Sequence, residues 1–369
     1  MDKKKLVKNL DFLIIIVVVL LVIYSLVMIS SATYNGEGSK ISSLVKQQIF
    51  WFIVGLGAMV LTLVFDYHIL GKMSKFIYIA VILALVAVEA YGYTRGGAQR
   101  WIEIGGFSLQ PSEFAKLGII ITLAWSLYKK EDKLNSFTSL IPAIIHVAIP
   151  MVLVLKQPDL GTSLVFAVIL ISMLFMAGVK FKVLISLIGA GVAAIPPMWF
   201  FVLDDYQRNR ILTLFNPHSD PLGTGYNVIQ SIIAVGSGKL TGRGLYSGSQ
   251  SQLNFVPEQH TDFIFTVVGE ELGFIGAIIL LTLYLILIMR LMAIARKAKD
   301  LFGNLVVVGI VAVLMFQIVE NIGMTIGIMP VTGIPLPFMS YGGSSLLVNM
   351  ISVGMALNIG MRRHKTEFF

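Results

Sequence analysis

The chain has 369 residues, of which 56% are hydrophobic and only 13% are charged, and its formal net charge is +8. Soluble domains are closer to half apolar and a quarter charged, so this composition excludes an ordinary soluble enzyme, a disordered tail and a nucleic-acid-binding domain. The absence of cysteine excludes disulfides and thiolate metal sites. The composition predicts an all-α integral membrane protein, with residues 1–369 forming a single polytopic domain.

Ten stretches are long and apolar enough to predict membrane-spanning helices, since a span needs about 20 mostly apolar residues. Lys and Arg concentrate at both ends of the chain and in every second loop. Because basic loops stay on the cytoplasmic side, we predict that both termini are cytoplasmic. The predicted spans are residues 11–31, 47–65, 75–91, 111–128, 140–155, 161–179, 183–202, 263–289, 304–329 and 342–361.

The predicted outer loops are more elaborate than the inner ones. A loop of about 60 residues, 203–262, joins the seventh and eighth spans, and an irregular loop that long is usually functional. Its apolar segment, 226–235, could form a short helix on the membrane surface. The last outer loop, 330–341, contains three prolines.

Charged residues in or beside a span are costly, which makes them candidates for function. Here they gather at the predicted outer ends of the helices. Glu113 and Lys116 share one helix face through their i, i+3 spacing. Glu270 lies about 80° around the helix from Asp262, so it could share a cavity with that residue. The charged candidates are Arg100, Glu113, Lys116, Asp159, Arg208, Arg210, Asp262 and Glu270.

Each candidate also has an ordinary structural interpretation. Glu113 and Lys116 could be an ion pair at a helix start. Asp159 could cap a turn, and Asp262 directly precedes an apolar run, where it could cap the eighth helix. Arg208 and Arg210 could simply bind lipid phosphate.

A ring of cations and carboxylates at headgroup height suits a lipid that carries a diphosphate-linked sugar. Arg and Lys bind the diphosphate, and a carboxylate can take a proton from an acceptor hydroxyl. Cations or a metal ion can stabilise the departing diphosphate. The same ring could instead be a set of structural ion pairs or the vestibule of a transporter.

Several long motifs, in the same order, resemble the SEDS family of bacterial cell-wall polymerases over essentially the whole chain. The segment SGSQSQLNFVPEQHTDF is closer to the elongation branch of that family than to its division branch. The motifs are QRWIEIGGFSLQPSEFAKL at 99–117, QPDLGT at 157–162, DPLGTGYNVIQSIIAVGSGKLTGRG at 220–244, FVPEQHTDFIFTVVGEELG at 255–273 and GIPLPFMSYGGSSL at 333–346.

The resemblance implies an inverting glycosyltransferase that polymerises lipid II on the outer face of the bacterial plasma membrane, for cell elongation and rod shape. Lipid II is an undecaprenyl-diphosphate disaccharide-pentapeptide. The HTDFIF motif places the family's essential aspartate at Asp262, the implied general base. The other implied roles are cavity shape and diphosphate binding for Glu113, Lys116 and Asp159, and diphosphate contact for Arg100, Arg208 and Arg210. Gly342, Gly343 and Ser344 either permit close backbone approach near the site or pack between helices.

The resemblance also implies partners: a class B penicillin-binding protein that supplies the transpeptidase, and the elongation machinery. Membrane lipid is a further expected partner, and nucleic acid is not expected to bind. A divalent cation such as Mg or Mn is compatible with a carboxylate-diphosphate site. Two alternatives are a lipid II flippase and a non-catalytic scaffold for the penicillin-binding protein. A flippase needs charges along a path through the membrane, whereas here only Glu320 lies deep in a span, which favours the enzyme.

Overall fold

A computed structural model of the chain describes residues 9–34, 42–95, 98–130, 137–201, 203–220, 223–253 and 255–363. Six lysines on which the predicted orientation partly depends lie outside the described residues: Lys3, Lys4, Lys5, Lys8, Lys133 and Lys365. In chain order the elements are α1 Phe12–Ala32, α2 Ser43–Val64, α3 Tyr67–Lys72, α4 Ser74–Tyr91, β1 Tyr93–Arg95, β2 Ala98–Ile104, β3 Phe107–Leu109, α5 Pro111–Tyr128, α6 Phe137–Lys156, α7 Leu160–Met176, α8 Phe181–Phe201, α9 Asp205–Phe215, α10 Thr224–Ser237, α11 Ser249–Gln252, α12 Ile264–Arg296, α13 Leu301–Thr325 and α14 Gly343–Met361.

Helices occupy all ten of the predicted stretches, so the helical membrane fold is confirmed. Within the described residues, eight helices are long and apolar enough to cross a membrane. The other two are α7, which has 17 residues, and α5, which carries the Glu113–Lys116 pair in its first two turns. The exact count of ten spans stays a prediction.

Two helices, α13 and α14, form the centre of the bundle. Most of their residues are buried inside the protein, whereas α4 and α8 bury few of theirs. A helix that is apolar on its exposed faces, as α8 is, suits a lipid environment. The peripheral helices therefore surround a packed core built on α13 and α14.

The long outer loop is folded. It contains α9, a single 3-10 turn at Pro217–Ser219, α10 and α11. The segment predicted as a surface helix, 226–235, lies within α10, and α10 packs against α12. A Cβ on Gly238 would lie 1.9 Å from the carbonyl oxygen of Gly269, so only glycine permits this close approach. The loop is thereby fixed on the bundle.

A small antiparallel sheet of three strands, β1 to β3, departs from the all-α prediction. It occupies the loop between α4 and α5, at the end of the bundle that also holds the turn before α12. The loop before α14 is equally ordered, since Val331, Ile334, Leu336 and Phe338 are buried. These two segments frame the site described next.

Candidate active site

One cavity of about 760 Å³ opens at the end of the bundle that is predicted to face outward. Its size lies within the range of small-molecule sites, which is roughly 300–1,000 Å³. Five segments build it: the start of α2, the sheet, α9, the turn before α12, and the loop before α14 with the first residues of that helix. Its polar and aromatic lining consists of Lys46, Gln47, Phe50, Trp51, Arg100, Trp101, Ser108, Gln110, Arg210, Glu258, Thr261, Asp262, Tyr341, Ser344 and Ser345.

Asp262 lies in the turn that leads into α12. The carbonyl of Glu258 accepts hydrogen bonds from the backbone N–H groups of Thr261 (3.1 Å) and Phe263 (3.4 Å). From behind, Asn321 Nδ2 donates to the Asp262 carbonyl at 2.7 Å. The backbone of Asp262 is therefore held in place, and its side chain lines the cavity.

The Asp262 carboxylate has no structural task. The capping position of α12 is Phe263, which makes no side-chain cap, so the alternative that Asp262 caps the helix is wrong. No other side chain or N–H group of the described residues hydrogen-bonds or ion-pairs with this carboxylate. It is free to act on a molecule in the cavity.

The electrostatic surroundings adjust the basicity of Asp262. Burial raises its pKa to about 6, with the charge of Glu258 acting in the same direction, while Arg210 and Arg100 oppose the rise. A carboxylate with this pKa is ionised at neutral pH and is a stronger base than an exposed aspartate. These are the properties of a general base.

Two arginines line the cavity beside this carboxylate. Arg210 Nη1 donates to the Thr332 carbonyl at 3.1 Å. Arg100 donates from Nε to the Gln157 carbonyl at 3.2 Å and lies 3.6 Å from the Asp159 carboxylate. Both guanidinium groups are thus held by backbone carbonyls at a place where an anionic group of a ligand can reach them.

Asp159 has the predicted capping role and an ion pair as well. Its Oδ1 accepts from the Thr162 N–H at 3.0 Å, which caps α7. Its Oδ2 faces Arg100. Asp159 is itself buried and does not line the cavity, so it acts by positioning the arginine.

Glu113 and Lys116 form an ion pair inside the bundle. Lys116 Nζ lies 2.7 Å from Glu113 Oε1, and the two side chains are only 4% and 3% exposed. Neither lines the cavity. The residue just before α5 does reach the cavity: the Gln110 N–H donates to Ser344 Oγ at 3.1 Å, and both residues line the cavity.

Two predicted site residues lie elsewhere. Glu270 does not share the Asp262 cavity, so that expectation is wrong: its carboxylate accepts from the N–H groups of Gln250 (2.8 Å) and Ser251 (2.9 Å) and holds α11 against α12. Arg208 also stays outside the cavity. It pairs at 3.2 Å with Asp205, whose side chain is 92% exposed.

The structure adds residues that the sequence analysis missed. The start of α2 supplies Lys46, Gln47 and Trp51 to the cavity, and the sheet supplies Trp101. Lys46 carried a usable signal, because short outer loops usually lack Lys and Arg. The described residues contain no cluster of three or more His, Asp or Glu that could hold a metal ion by themselves.

Gly333 is the point where the cavity leaves no room for a side chain. Its φ is +74°, and a Cβ there would lie 3.1 Å from Asp262 Oδ2 and 3.8 Å from Arg210 Nη1. We expect Gly333→Ala to strain the backbone by about 1–2 kcal/mol and to displace the carboxylate. The polymerisation of lipid II that the resemblance implies should fall at least about tenfold in kcat in this variant, the usual cost of a misplaced catalytic group.

The matched control for that variant is Gly57→Ala, since Gly57 lies within α2 with open space around it. This control should retain the wild-type rate. Equal rates for the Gly333 variant and wild type would show that the carboxylate tolerates the added methyl group.

Known proteins resemble this chain over nearly its whole length. The model of the FtsW, RodA and SpoVE family, described as cell cycle proteins, matches residues 11–365. The chain belongs to this family. The peptidoglycan glycosyltransferase MrdB of Escherichia coli K12 is 40% identical over 355 residues, 96% of this chain and 94% of that protein. The probable peptidoglycan glycosyltransferase FtsW of Geobacter metallireducens is 38% identical over 369 residues, 98% of this chain and 97% of that protein.

Solved structures of FtsW/RodA/SpoVE-like chains share the fold. A chain of a peptidoglycan synthase complex, described as coordinating polymerisation and crosslinking, matches with a TM-score of 0.81 and 31% identity, covering 96% of this chain and 99% of that one. The rod shape determining protein RodA of Thermus thermophilus matches with a TM-score of 0.72 and 28% identity, covering 96% of this chain and 98% of that one. The resemblance in the sequence motifs is confirmed, and the chain is a multi-pass membrane protein.

Proposed function

We propose that this chain is a peptidoglycan glycosyltransferase that polymerises lipid II on the outer face of the bacterial plasma membrane, for cell elongation. The observation that carries the proposal is the Asp262 carboxylate, which no described residue engages, in a cavity lined by Arg100 and Arg210. The names of the relatives MrdB and FtsW support the same reaction. The likeness in fold to the rod shape determining protein RodA of Thermus thermophilus supports the elongation branch that the motifs indicate.

The proposed reaction assigns one step to each of these three side chains. Asp262 accepts the proton of the acceptor's 4-hydroxyl as that oxygen bonds to C1 of the donor sugar. The bond between C1 and the diphosphate oxygen breaks, and the diphosphate leaves with its electron pair. Arg100 and Arg210 stabilise the negative charge on the leaving group. A single displacement of this kind inverts the configuration at C1, and Asp262 afterwards loses its proton to water.

A divalent cation such as Mg or Mn suits this cavity through its carboxylates. Mg²⁺ commonly binds through one or two carboxylates and the substrate's phosphates. Glu258 lines the cavity beside Asp262 and could hold such an ion against the diphosphate. When bound, the ion would supply further stabilisation of the leaving group.

The partner we propose is a class B penicillin-binding protein that cross-links the new strands, within the elongation machinery. The likeness to a chain of a complex that coordinates polymerisation and crosslinking supports this assignment. A scaffold without catalysis would need no unengaged carboxylate in a cation-lined cavity.

The test is strand formation from purified lipid II by the purified chain, alone and with a class B partner whose transpeptidase site is inactivated. We expect polymer that a muramidase degrades. A flippase would instead move lipid II between the leaflets of a vesicle without making polymer. Transport without polymer, or no polymer with partner and Mg²⁺ or Mn²⁺ present, would overturn the proposed function.

A further inference from the structure

The polymerisation proposed above brings two diphosphate lipids into one cavity, and this inference rests on that function. The donor's diphosphate is attached to the carbon that reacts, so it must lie beside Asp262. The acceptor reacts through the hydroxyl of its terminal sugar, and its own diphosphate hangs from the other sugar. A second anionic group therefore has to be bound one disaccharide away from Asp262.

Arg100 and Arg210 meet the first requirement. Both lower the pKa of Asp262 through their charges, which places them within electrostatic reach of the carboxylate. Arg210 is also close in space, since a Cβ on Gly333 would contact both Arg210 and Asp262. These arginines therefore bind the diphosphate that leaves the donor.

The α2 wall of the cavity, which we define as Lys46, Gln47 and Trp51, meets the second requirement. Lys46 lines the same cavity from the start of α2, whereas Arg100 comes from β2 and Arg210 from α9. The Lys46 side chain is exposed, so a ligand can reach the ammonium group.

Aromatic rings line the cavity together with these two cationic regions. Trp51 is fixed against the first residue of α14, because a Cβ on Gly343 would lie 2.3 Å from Trp51 Cε2 and Nε1. Gln47 lies one turn before Trp51 on the same helix face and accepts a hydrogen bond from Tyr341. Trp101 reaches the cavity from β2. Flat aromatic faces bind the apolar C–H faces of sugar rings, and amides bind their hydroxyls.

We propose that Lys46, Gln47, Trp51 and Trp101 form the acceptor subsite. Trp51 and Trp101 bind the acceptor's two sugars, Gln47 bonds to their hydroxyls, and Lys46 binds the acceptor's diphosphate. The arrangement presents the 4-hydroxyl of the terminal sugar to Asp262. The donor's diphosphate lies on Arg100 and Arg210.

The test separates the two substrates with an analogue of lipid II that lacks the 4-hydroxyl and can act only as donor. The analogue is kept at a saturating concentration as donor, and the concentration of ordinary lipid II is varied as acceptor. Only the tetrasaccharide that ends in the deoxy sugar is counted, because it forms only when the analogue is the donor. We expect Trp51→Ala and Lys46→Ala to raise the acceptor KM about tenfold or more while the donor KM stays within about twofold. Arg210→Ala should raise the donor KM instead.

Conservative and matched variants separate binding from folding. Trp51→Phe and Lys46→Arg should restore most of the acceptor affinity, and Trp199→Ala and Lys75→Ala, outside the cavity, should behave as wild type. Because the Lys46 side chain is exposed, Lys46→Ala decides the question even where Trp51→Ala fails to fold. An unchanged acceptor KM, or equal rises in both KM values, overturns the subsite. No coupled product from wild type overturns the proposed function itself.

Discussion

Asp262→Asn should abolish glycan polymerisation and leave the fold intact. Asparagine has almost the same shape but cannot accept the acceptor's proton, and loss of a general base costs about 10²–10⁴ in rate. Burial raises the pKa of Asp262 to about 6, so the folded protein loses stability as the pH rises and this carboxylate ionises. Its neutral replacement should therefore melt at the wild-type temperature or above at neutral pH.

The measurement is polymer formed from lipid II, alongside thermal unfolding of the same preparation. Asp205→Asn is the matched control, because the Asp205 side chain is 92% exposed and lies outside the cavity. A variant at Asp262 that polymerises normally would remove the proposed base. A variant that unfolds at a lower temperature would reassign Asp262 to a structural role.

Lys116→Met should produce the largest loss of stability. It leaves the Glu113 carboxylate buried without the ammonium group that lies 2.7 Å from it. Removing one partner of a buried ion pair costs about 3–5 kcal/mol, because the remaining charge is uncompensated. The midpoint of thermal unfolding in detergent should fall clearly, and activity should fall with it.

Two comparisons test the cause of that loss. Glu113→Leu combined with Lys116→Met replaces the pair by apolar groups and should recover much of the stability. Asp205→Asn removes the charge of a carboxylate that is 92% exposed in its pair with Arg208, and it should cost less than about 1 kcal/mol. A single Lys116→Met variant as stable as wild type would mean that Glu113 is compensated by another group.

Hydropathy was sufficient to locate the helices, because a span needs only length and apolar composition. It could not locate the sheet β1 to β3 or the packing of α10 on α12, which depend on contacts between distant segments. Glu270 shows the same limit. Its angle around α12 from Asp262 was inferred from helix geometry, but the angle does not reveal that Gln250 and Ser251 occupy that face.

The candidate site was predicted in part, from charged residues on the outer side of separate segments. Asp262 and the arginines at 100 and 210 lie in the cavity, as the resemblance implied, whereas Glu113 and Lys116 do not line it. Trp51 was missed because an aromatic residue near a helix start looks ordinary in sequence, and Lys46 was missed although a basic residue on the outer side is unusual. They join the cavity that holds Asp262 only because α14 packs against α2 in the folded protein.

The pH dependence of kcat/KM for polymerisation tests the central claim most directly, namely that Asp262 acts as an ionised base. With burial raising its pKa to about 6, the rate should fall as the pH drops through about 6, while the protein remains folded. The residual rate of Asp262→Asn should lack this acid limb. A wild-type profile that stays flat from neutral pH to well below 6, or an equal limb in the variant, would contradict the account.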